Sequence, residues 1–186
     1  MQETLNLEKE CQTKVAEIFE SINKINYGWQ DNRGNKHDKL GSNFRSDYIL
    51  QTPAQTIESG VGICWDQVEL ERYYFEKNNI DCETYFIVYY DQNKHNDPSH
   101  TFLTFEDAGK YYWFEHPYGK YRGVHQYESK NELLFDVRNK FLNDDFDVND
   151  DRNLCMYKYT KPEFGISVPE FYAHCASGEN IQDFSS

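Results

Sequence analysis

The sequence predicts an α+β fold, in which the first helices precede a mostly antiparallel sheet. Residues 8–25 place apolar side chains three and four positions apart, which is the spacing of one face of a helix. From residue 82 onward the chain contains short runs of aromatic and β-branched residues, which are typical of strands. This order favours segregated helices and strands over alternating βα units.

Each further element follows from a local signal. The segment 26–43 is rich in Gly, Asn, Asp and Lys, and we expect a loop with little regular structure. Ser129 and Glu132 have the spacing of a capping box at the start of a helix. The remaining predictions are a short helical turn over 53–59, helices over 64–77, 130–142 and 169–175, and strands over 82–90, 100–105, 110–116 and 154–159.

Composition limits the classes of protein that this chain represents. Its 186 residues suit one domain, and no linker or repeat divides them. A formal net charge of −13, without a basic patch, argues against nucleic acid or an anionic membrane as a partner. A mean hydropathy of −0.89 and the lack of a long apolar run exclude a transmembrane helix. Aromatic residues make up 17% of the chain, which excludes intrinsic disorder.

The cysteines predict a reducing compartment. The first eight residues have neither the basic nor the apolar region of a signal peptide, so we expect a cytoplasmic protein. An odd number of cysteines with irregular spacing and no CxxC pair predicts free thiols. These residues are Cys11, Cys64, Cys82, Cys155 and Cys175.

Cys64 has a setting suited to nucleophilic chemistry. It follows Gly60 and Gly62, which permit a tight turn, and it begins the helix predicted over 64–77. Unpaired N–H groups and the positive end of the helix dipole favour a thiolate, the nucleophilic form, at such a position. The alternative is a buried cysteine with a purely structural role.

A nucleophilic cysteine needs a base, normally histidine, and the histidine needs a carboxylate that orients it. If residues 106–109 form a hairpin loop, Phe105 pairs with Lys110, and His100 then lies opposite Glu115. Directly opposed side chains share one face of the sheet, with Cβ atoms about 4.5–5.5 Å apart. An imidazole and a carboxylate at that spacing can form a hydrogen bond.

Two alternatives remain open for this hairpin. The pair of His100 and Glu115 could be a surface pair without a chemical role. The same register also places His116 opposite Ser99 on the other face of the sheet. That second pair lacks a carboxylate, so we prefer His100 as the candidate base.

These residues together resemble the transglutaminase-like core of the papain-like thiol enzymes. The runs that carry the resemblance are Gly62-Ile63-Cys64-Trp65, Ser99-His100-Thr101-Phe102 and Trp113-Phe114-Glu115. In that family a cysteine opens a helix, a histidine begins a strand and an acid lies on the next strand. The intervals here, 36 residues from the cysteine to the histidine and 15 more to the acid, suit that pattern. The resemblance covers about residues 27–125 of a single domain over 1–186.

The resemblance implies a papain-like fold, with the nucleophile helix packed on an antiparallel sheet, and a triad of Cys64, His100 and Glu115. The third member of the family triad is usually aspartate, so glutamate is a departure. The family also implies an oxyanion hole that includes the Cys64 backbone N–H. Trp29 is a candidate second donor to it, or alternatively an aromatic anchor for the first helix. Trp65, which follows the cysteine, is a further candidate for oxyanion or substrate binding.

The activity that the resemblance implies is acyl transfer from amide bonds of a protein or peptide through a thioester. Water as the second nucleophile gives a protease or amidase, and an amine gives transamidation. We favour hydrolysis because water is the default nucleophile. The alternative is a catalytically inactive binding or scaffold protein that keeps the fold.

Signals for a metal or another cofactor are weak, and we expect none. Asp145, Asp147 and Asn149 have the 1-3-5 spacing of a calcium loop. Asp150 and Met156 stand where that loop needs glycine and glutamate, so we interpret the segment as a solvated acidic loop. No close pair of cysteine and histidine residues suggests zinc.

Overall fold

A six-stranded antiparallel sheet is the centre of the protein, and helices pack on both of its faces. The computed structural model describes residues 2–90, 97–145 and 152–182. In chain order the elements are α1 (Gln2–Ile22), β1 (Asn26–Tyr27), β2 (Trp29–Gln30), β3 (Lys36–His37), α2 (Phe44–Asp47), α3 (Pro53–Ser59), β4 (Val61–Gly62), α4 (Cys64–Lys77), β5 (Cys82–Tyr89), β6 (Ser99–Asp107), β7 (Lys110–Glu115), a 3₁₀ turn (Gly119–Tyr121), β8 (Gly123–Tyr127), α5 (Lys130–Asp145), β9 (Leu154–Tyr159), α6 (Val168–Ala176) and β10 (Glu179–Asn180). The strand order in the main sheet is β10-β9-β5-β6-β7-β8. This arrangement confirms the α+β class.

Apolar side chains join the helices to the sheet. On one face, Val68 of α4 packs in a cluster with Leu103 of β6 and with side chains of α1. On the other face, Leu133 of α5 packs in a cluster with Phe102 of β6. Because both faces of the sheet are covered, its middle strands are apolar almost without alternation. This pattern is typical of strands in the interior of a sheet.

Helix α1 confirms the predicted amphipathic helix but has different bounds. It runs over Gln2–Ile22 instead of 8–25. Val15 and Ile18 on its apolar face are each 2% exposed. Ile25 is buried as predicted, although the helix has already ended, because the chain turns there toward the sheet.

The helix that begins at Cys64 has the predicted bounds, and the main strands lie within about two residues of prediction. A capping box formed by Thr52 and Gln55 starts the short helix α3. The Ser129 hydroxyl accepts a hydrogen bond from the Glu132 backbone N–H at 3.1 Å at the start of α5. The capping signal predicted at Ser129 and Glu132 is therefore confirmed, whereas the box of Thr52 and Gln55 was not predicted.

The segment 26–43 is mainly loop, as expected, but it also contains three short strands. Strand β1 pairs in parallel with β4, and β2 pairs antiparallel with β3. Each of these strands has two residues, which is too short for a visible alternation in the sequence. Trp29 is fully buried and stacks on His37 with 4.3 Å between ring centroids, so this polar segment has an apolar anchor.

The β6–β7 hairpin differs from the predicted register by two residues. Its loop is Ala108 and Gly109 alone, both with left-handed backbone, at φ 51° and 75°. His100 and Glu115 therefore do not oppose each other, and the predicted pairing is wrong. Side chains alternate with a period of two, so a shift by two residues leaves both on the same face. They are diagonal neighbours instead of direct ones.

Candidate active site

The turn before α4 sets the position of Cys64. Helix α3 ends at Gly60, which is left-handed with φ 68°, and β4 then pairs with β1. A Cβ atom on Gly62 would lie 2.9 Å from the Cβ of Asp66 and 3.2 Å from the Cγ2 of Thr56. Glycine is the residue that fits position 62 without displacing its neighbours. The close packing here therefore constrains the backbone that leads to Cys64.

Asp66 ties the first turn of α4 to the surrounding chain. Its Oδ1 accepts hydrogen bonds from the Tyr48 hydroxyl at 2.8 Å and the Gln51 backbone N–H at 2.9 Å, and its Oδ2 accepts from the Ile63 N–H at 3.0 Å. Burial raises the pKa of Asp66 to about 7, although these hydrogen bonds act in the opposite direction. An acidic residue three positions after an N-cap is a recognisable signal for this role, and sequence reasoning alone missed it.

Gln67 and His116 support the same turn. The Gln67 Nε2 donates to the Gly62 carbonyl at 2.7 Å, and its Oε1 accepts from the His116 Nδ1 at 2.6 Å. Burial, with a smaller effect of the Arg122 charge, lowers the pKa of His116 to about 4. The His116 ring is therefore neutral at pH 7, and its Nδ1 is committed to holding Gln67.

Glu115 is fully buried and holds His100 in place. Its Oε2 accepts from the His100 Nε2 at 2.8 Å and from the Trp113 indole N–H at 3.1 Å. Its Oε1 accepts from the Tyr118 backbone N–H at 2.6 Å. Three donors therefore fix one carboxylate, and the carboxylate in turn fixes the imidazole.

Cys64 and His100 meet where two elements begin. Cys64 is the first residue of α4, and His100 is the second residue of β6. Burial lowers the pKa of His100, but the Glu115 charge and hydrogen bonds with Cys64 and Glu115 outweigh it and raise the pKa to about 10. Since Glu115 contacts Nε2, Nδ1 is the ring nitrogen left for the thiol. The structure thus brings Cys64, His100 and Glu115 together in one chain of contacts.

Two cavities open beside the thiol. The smaller, about 250 Å³, is lined by Cys64, His100 and Tyr118 among others. The larger, about 460 Å³, is lined by Cys64 and Trp65 among others and extends toward α2 and α6. Tyr27, Cys64 and Ser99 line both cavities. The nucleophile candidate therefore stands at the junction of two cavities, each able to take one side of a substrate.

Glu71 is a buried acid near this site that sequence reasoning did not single out. It lies two turns after Cys64 on α4 and is 0% exposed, and neither carboxyl oxygen has a hydrogen-bond partner among the described residues. Burial, and next the negative charge of Glu115, raise the pKa of Glu71 well above its ordinary value. The fold therefore favours the protonated, uncharged form of the Glu71 carboxyl group.

The two candidate tryptophans have different environments. The Trp29 indole N–H donates to the Lys39 carbonyl at 3.0 Å, so this donor is already used and Trp29 acts as an anchor. Trp65 stacks on Phe171 with 4.4 Å between centroids, and its buried indole N–H has no hydrogen-bond partner in the part of the chain that the structure describes. Trp65 lines the larger cavity, whereas Trp29 lines neither of the two.

All five cysteines are free thiols, as predicted. Burial raises the pKa of Cys11, of Cys82 to about 12, and of Cys175. Burial therefore makes these three thiols weaker nucleophiles than an ordinary cysteine.

In the described part of the chain, no group of three or more His, Cys, Asp and Glu side chains could hold a metal ion. Most of the acidic segment considered for calcium, including Asp147 and Asn149, lies outside the described residues. Across the described ranges, no helix has the length and apolar character needed to span a membrane. Comparison of the sequence with family models and with curated proteins gives no match.

Proposed function

We propose that this protein is a cysteine-dependent acyl-transfer enzyme of the transglutaminase-like type, with a papain-like core, acting on amide bonds. The observation that carries the proposal is the chain of contacts from the Cys64 thiol through His100 to a buried, triply hydrogen-bonded Glu115. A surface pair without a role would be solvent-exposed, whereas His100 is 7% and Glu115 0% exposed.

The first half of the proposed reaction forms a thioester. His100 takes the thiol proton, and the Cys64 sulfur attacks the amide carbonyl carbon, so that a C–S bond forms and the oxygen becomes an oxyanion. The imidazolium then gives its proton to the leaving amine as the C–N bond breaks. The His100 pKa of about 10 keeps the proton on the ring at neutral pH, poised for transfer to the amine.

The second half regenerates the thiol. His100 takes a proton from water as the water oxygen attacks the thioester carbonyl carbon. The C–S bond then breaks to release a carboxylic acid, and the imidazolium returns its proton to the Cys64 sulfur. Glu115 fixes the ring orientation and stabilises its positive charge in both halves. The Cys64 backbone N–H lies in the first turn of α4, where no intrahelical acceptor exists, and suits one contact to the oxyanion. We favour water over an amine as the acceptor.

The experiment measures both outcomes at once. Native protein and Cys64→Ala are incubated with dimethylated casein, with and without a fluorescent primary amine. We expect new peptide or side-chain carboxylates from the native protein, less than one tenth of that signal from Cys64→Ala, and full activity from the control Cys82→Ala. Amine incorporation that exceeds hydrolysis would make the protein a transamidase instead.

A non-enzymatic scaffold gives a different result. It would release no product and would show no rapid alkylation of Cys64 at pH 6, where ordinary thiols are protonated. Peptide mass spectrometry after a brief exposure to iodoacetamide locates the label. If Cys64 reacted no faster than Cys155, the proposed activity would be wrong.

A further inference from the structure

Arg45 is an uncompensated positive charge beside the candidate nucleophile. It lies in α2 on the wall of the larger cavity, which Cys64 also lines. Within the described residues, the Arg45 side chain has no hydrogen bond and no ion pair. The protein has a net charge of −13, so a cation left without a partner at the mouth of a site is unexpected.

Tyr172 interacts electrostatically with both Arg45 and Cys64 in this cavity. Tyr172 lines the same cavity, and both Arg45 and Cys64 act on the pKa of its hydroxyl. Burial raises that pKa to about 12, and the positive charge of Arg45 opposes the rise. The Tyr172 hydroxyl also donates to the Ser99 hydroxyl at 2.9 Å, next to His100 in the chain. Tyr172 therefore shares the cavity with the cation and is hydrogen-bonded to the residue before His100.

The rest of the cavity suits an apolar group. Phe44, Ile63, Trp65 and Val168 contribute apolar or aromatic surface to it. Its volume of about 460 Å³ falls in the range of small-ligand pockets, which is roughly 300–1,000 Å³. The carboxylate of Asp97 also lines the cavity, so an anion is favoured where it contacts Arg45 and disfavoured elsewhere. The positive charge of Arg45 and the apolar lining together favour a ligand whose anionic end lies at Arg45 and whose apolar body lies in the rest of the cavity.

We infer that the larger cavity binds a substrate segment with an apolar or aromatic body and a terminal anionic group, which pairs with Arg45. This inference rests on the proposed function for its placement of the reacting carbonyl at Cys64. The guanidinium offers a planar fork of N–H donors that matches a carboxylate or a phosphate. The protein would therefore select acidic acyl donors despite its own negative charge.

Direct binding tests this selection without turnover. The Cys64→Ser protein is titrated with 3-phenylpropanoate and with 3-phenylpropanamide, which differ in the charged group. We expect the anion to bind about fivefold more tightly, a ratio typical of a solvent-accessible ion pair. Arg45→Gln should reduce the ratio to about one. Arg45 is exposed and forms no hydrogen bond or ion pair with the residues that the structure describes, so this change should leave the fold intact.

A matched control removes the same charge elsewhere. Lys161 pairs with Glu76 near the far end of α4, roughly 18 Å along the helix from Cys64. Lys161→Gln should keep the fivefold preference. Equal binding of the two probes would overturn the inference, and so would a preference that survives Arg45→Gln, which would locate the anion at His100.

A kinetic measurement separates this inference from the proposed function. Iodoacetate and iodoacetamide alkylate the same sulfur but differ in charge. Arg45→Gln should slow iodoacetate about fivefold and leave iodoacetamide within twofold of native. Slow labelling of native protein by both reagents would contradict the proposed enzymatic function. The ratio of the affinities for 3-phenylpropanoate and 3-phenylpropanamide would still show whether Arg45 binds an anion.

Discussion

Glu115 reaches His100 along a diagonal of the β6–β7 pair. Leu103 pairs with Phe114, so the position opposite Glu115 is that of Phe102, yet the carboxylate Oε2 lies 2.8 Å from the imidazole Nε2. Diagonal neighbours have Cβ atoms roughly 7 Å apart. Glutamate has one methylene more than aspartate with which to cross that gap. The glutamate, where the proposed transglutaminase-like triad would usually have aspartate, therefore matches the register of this hairpin.

Shortening the acid tests this relationship. In Glu115→Asp the carboxylate keeps its charge but retreats by about 1.5 Å, so the hydrogen bond to His100 should be lost or become water-mediated. We expect the His100 pKa to fall from about 10 toward its ordinary value. NMR titration of the imidazole measures the change. An unchanged His100 pKa would mean that charge alone, without the hydrogen bond, sustains it.

Removing the charge should have a larger effect. Glu115→Gln offers an amide that cannot stabilise the imidazolium, and its N–H₂ group would face one of three donors that now point at the carboxylate. We expect iodoacetamide labelling of Cys64 at pH 6 to fall at least tenfold. His100→Ala should fall further. Native-like labelling in Glu115→Gln alone would direct the search for the acid to Asp97.

The same substitution also reports on the fold. Because Glu115 is fully buried and bonds to Trp113 and Tyr118, Glu115→Gln should cost about 1–3 kcal/mol of unfolding free energy. Urea unfolding gives this value. The loss should be moderate enough for the variant to remain folded, so that its labelling can be compared with that of native protein.

The raised pKa of His100 predicts a pH-dependent contribution to stability. The folded-state pKa of about 10 lies above the ordinary 6.5, so the folded protein binds the proton more tightly. This contribution is fully present below about pH 6.5 and is lost as the pH rises through 10. The difference in unfolding free energy between native protein and His100→Gln should therefore shrink over that interval. A difference that grew with pH would contradict the assigned protonation state.

Replacing Glu71 should raise the stability of the protein at high pH relative to native protein, whereas replacing His100 should lower stability. Its folded-state pKa is raised well above 4.5, so native protein loses stability as the pH rises above that ordinary value. Glu71→Gln removes the ionisable group and should unfold with a flatter pH profile, becoming relatively more stable than native at pH 8. Parallel profiles of the two proteins between pH 4 and 8 would show that Glu71 has a partner in solution.

Gly62 predicts a site-specific steric effect. Gly62→Ala places a Cβ atom 2.9 Å from that of Asp66, and overpacking of this kind costs about 1–3 kcal/mol. The shifted turn should also slow alkylation of Cys64. Gly119→Ala is the matched control, because a Cβ there has no neighbour within 4 Å. Equal stability of the two variants, measured by urea unfolding, would show that the turn has room to adjust.

The sequence predicts the order and type of the larger elements because each carries its own periodicity or cap. The α4 start at Cys64 is visible from its glycines, and the face shared by His100 and Glu115 is visible from strand parity. An error of two residues in loop length leaves each side chain on the same face of the sheet. The wrong register therefore still predicted that His100 and Glu115 lie on one face. An error of one residue would have separated them.

Other parts of the site depend on contacts that no local pattern encodes. Glu71 resembles any acidic helix residue until α4 is packed on the sheet and its carboxyl group loses solvent. The role of His116 likewise depends on Gln67, which is 49 residues away in sequence. Arg45 was unremarkable as a sequence residue, because its importance comes from the cavity wall that it joins.

The indole of Trp113 shares its hydrogen-bond acceptor with His100. Both donate to the Glu115 Oε2, and Trp113 is fully buried. We expect the near-ultraviolet absorption and fluorescence of this indole to change when the imidazole loses its proton. The absorption and fluorescence of Trp113 should therefore report the ionisation of the His100 and Glu115 pair in real time, without a label or a substrate.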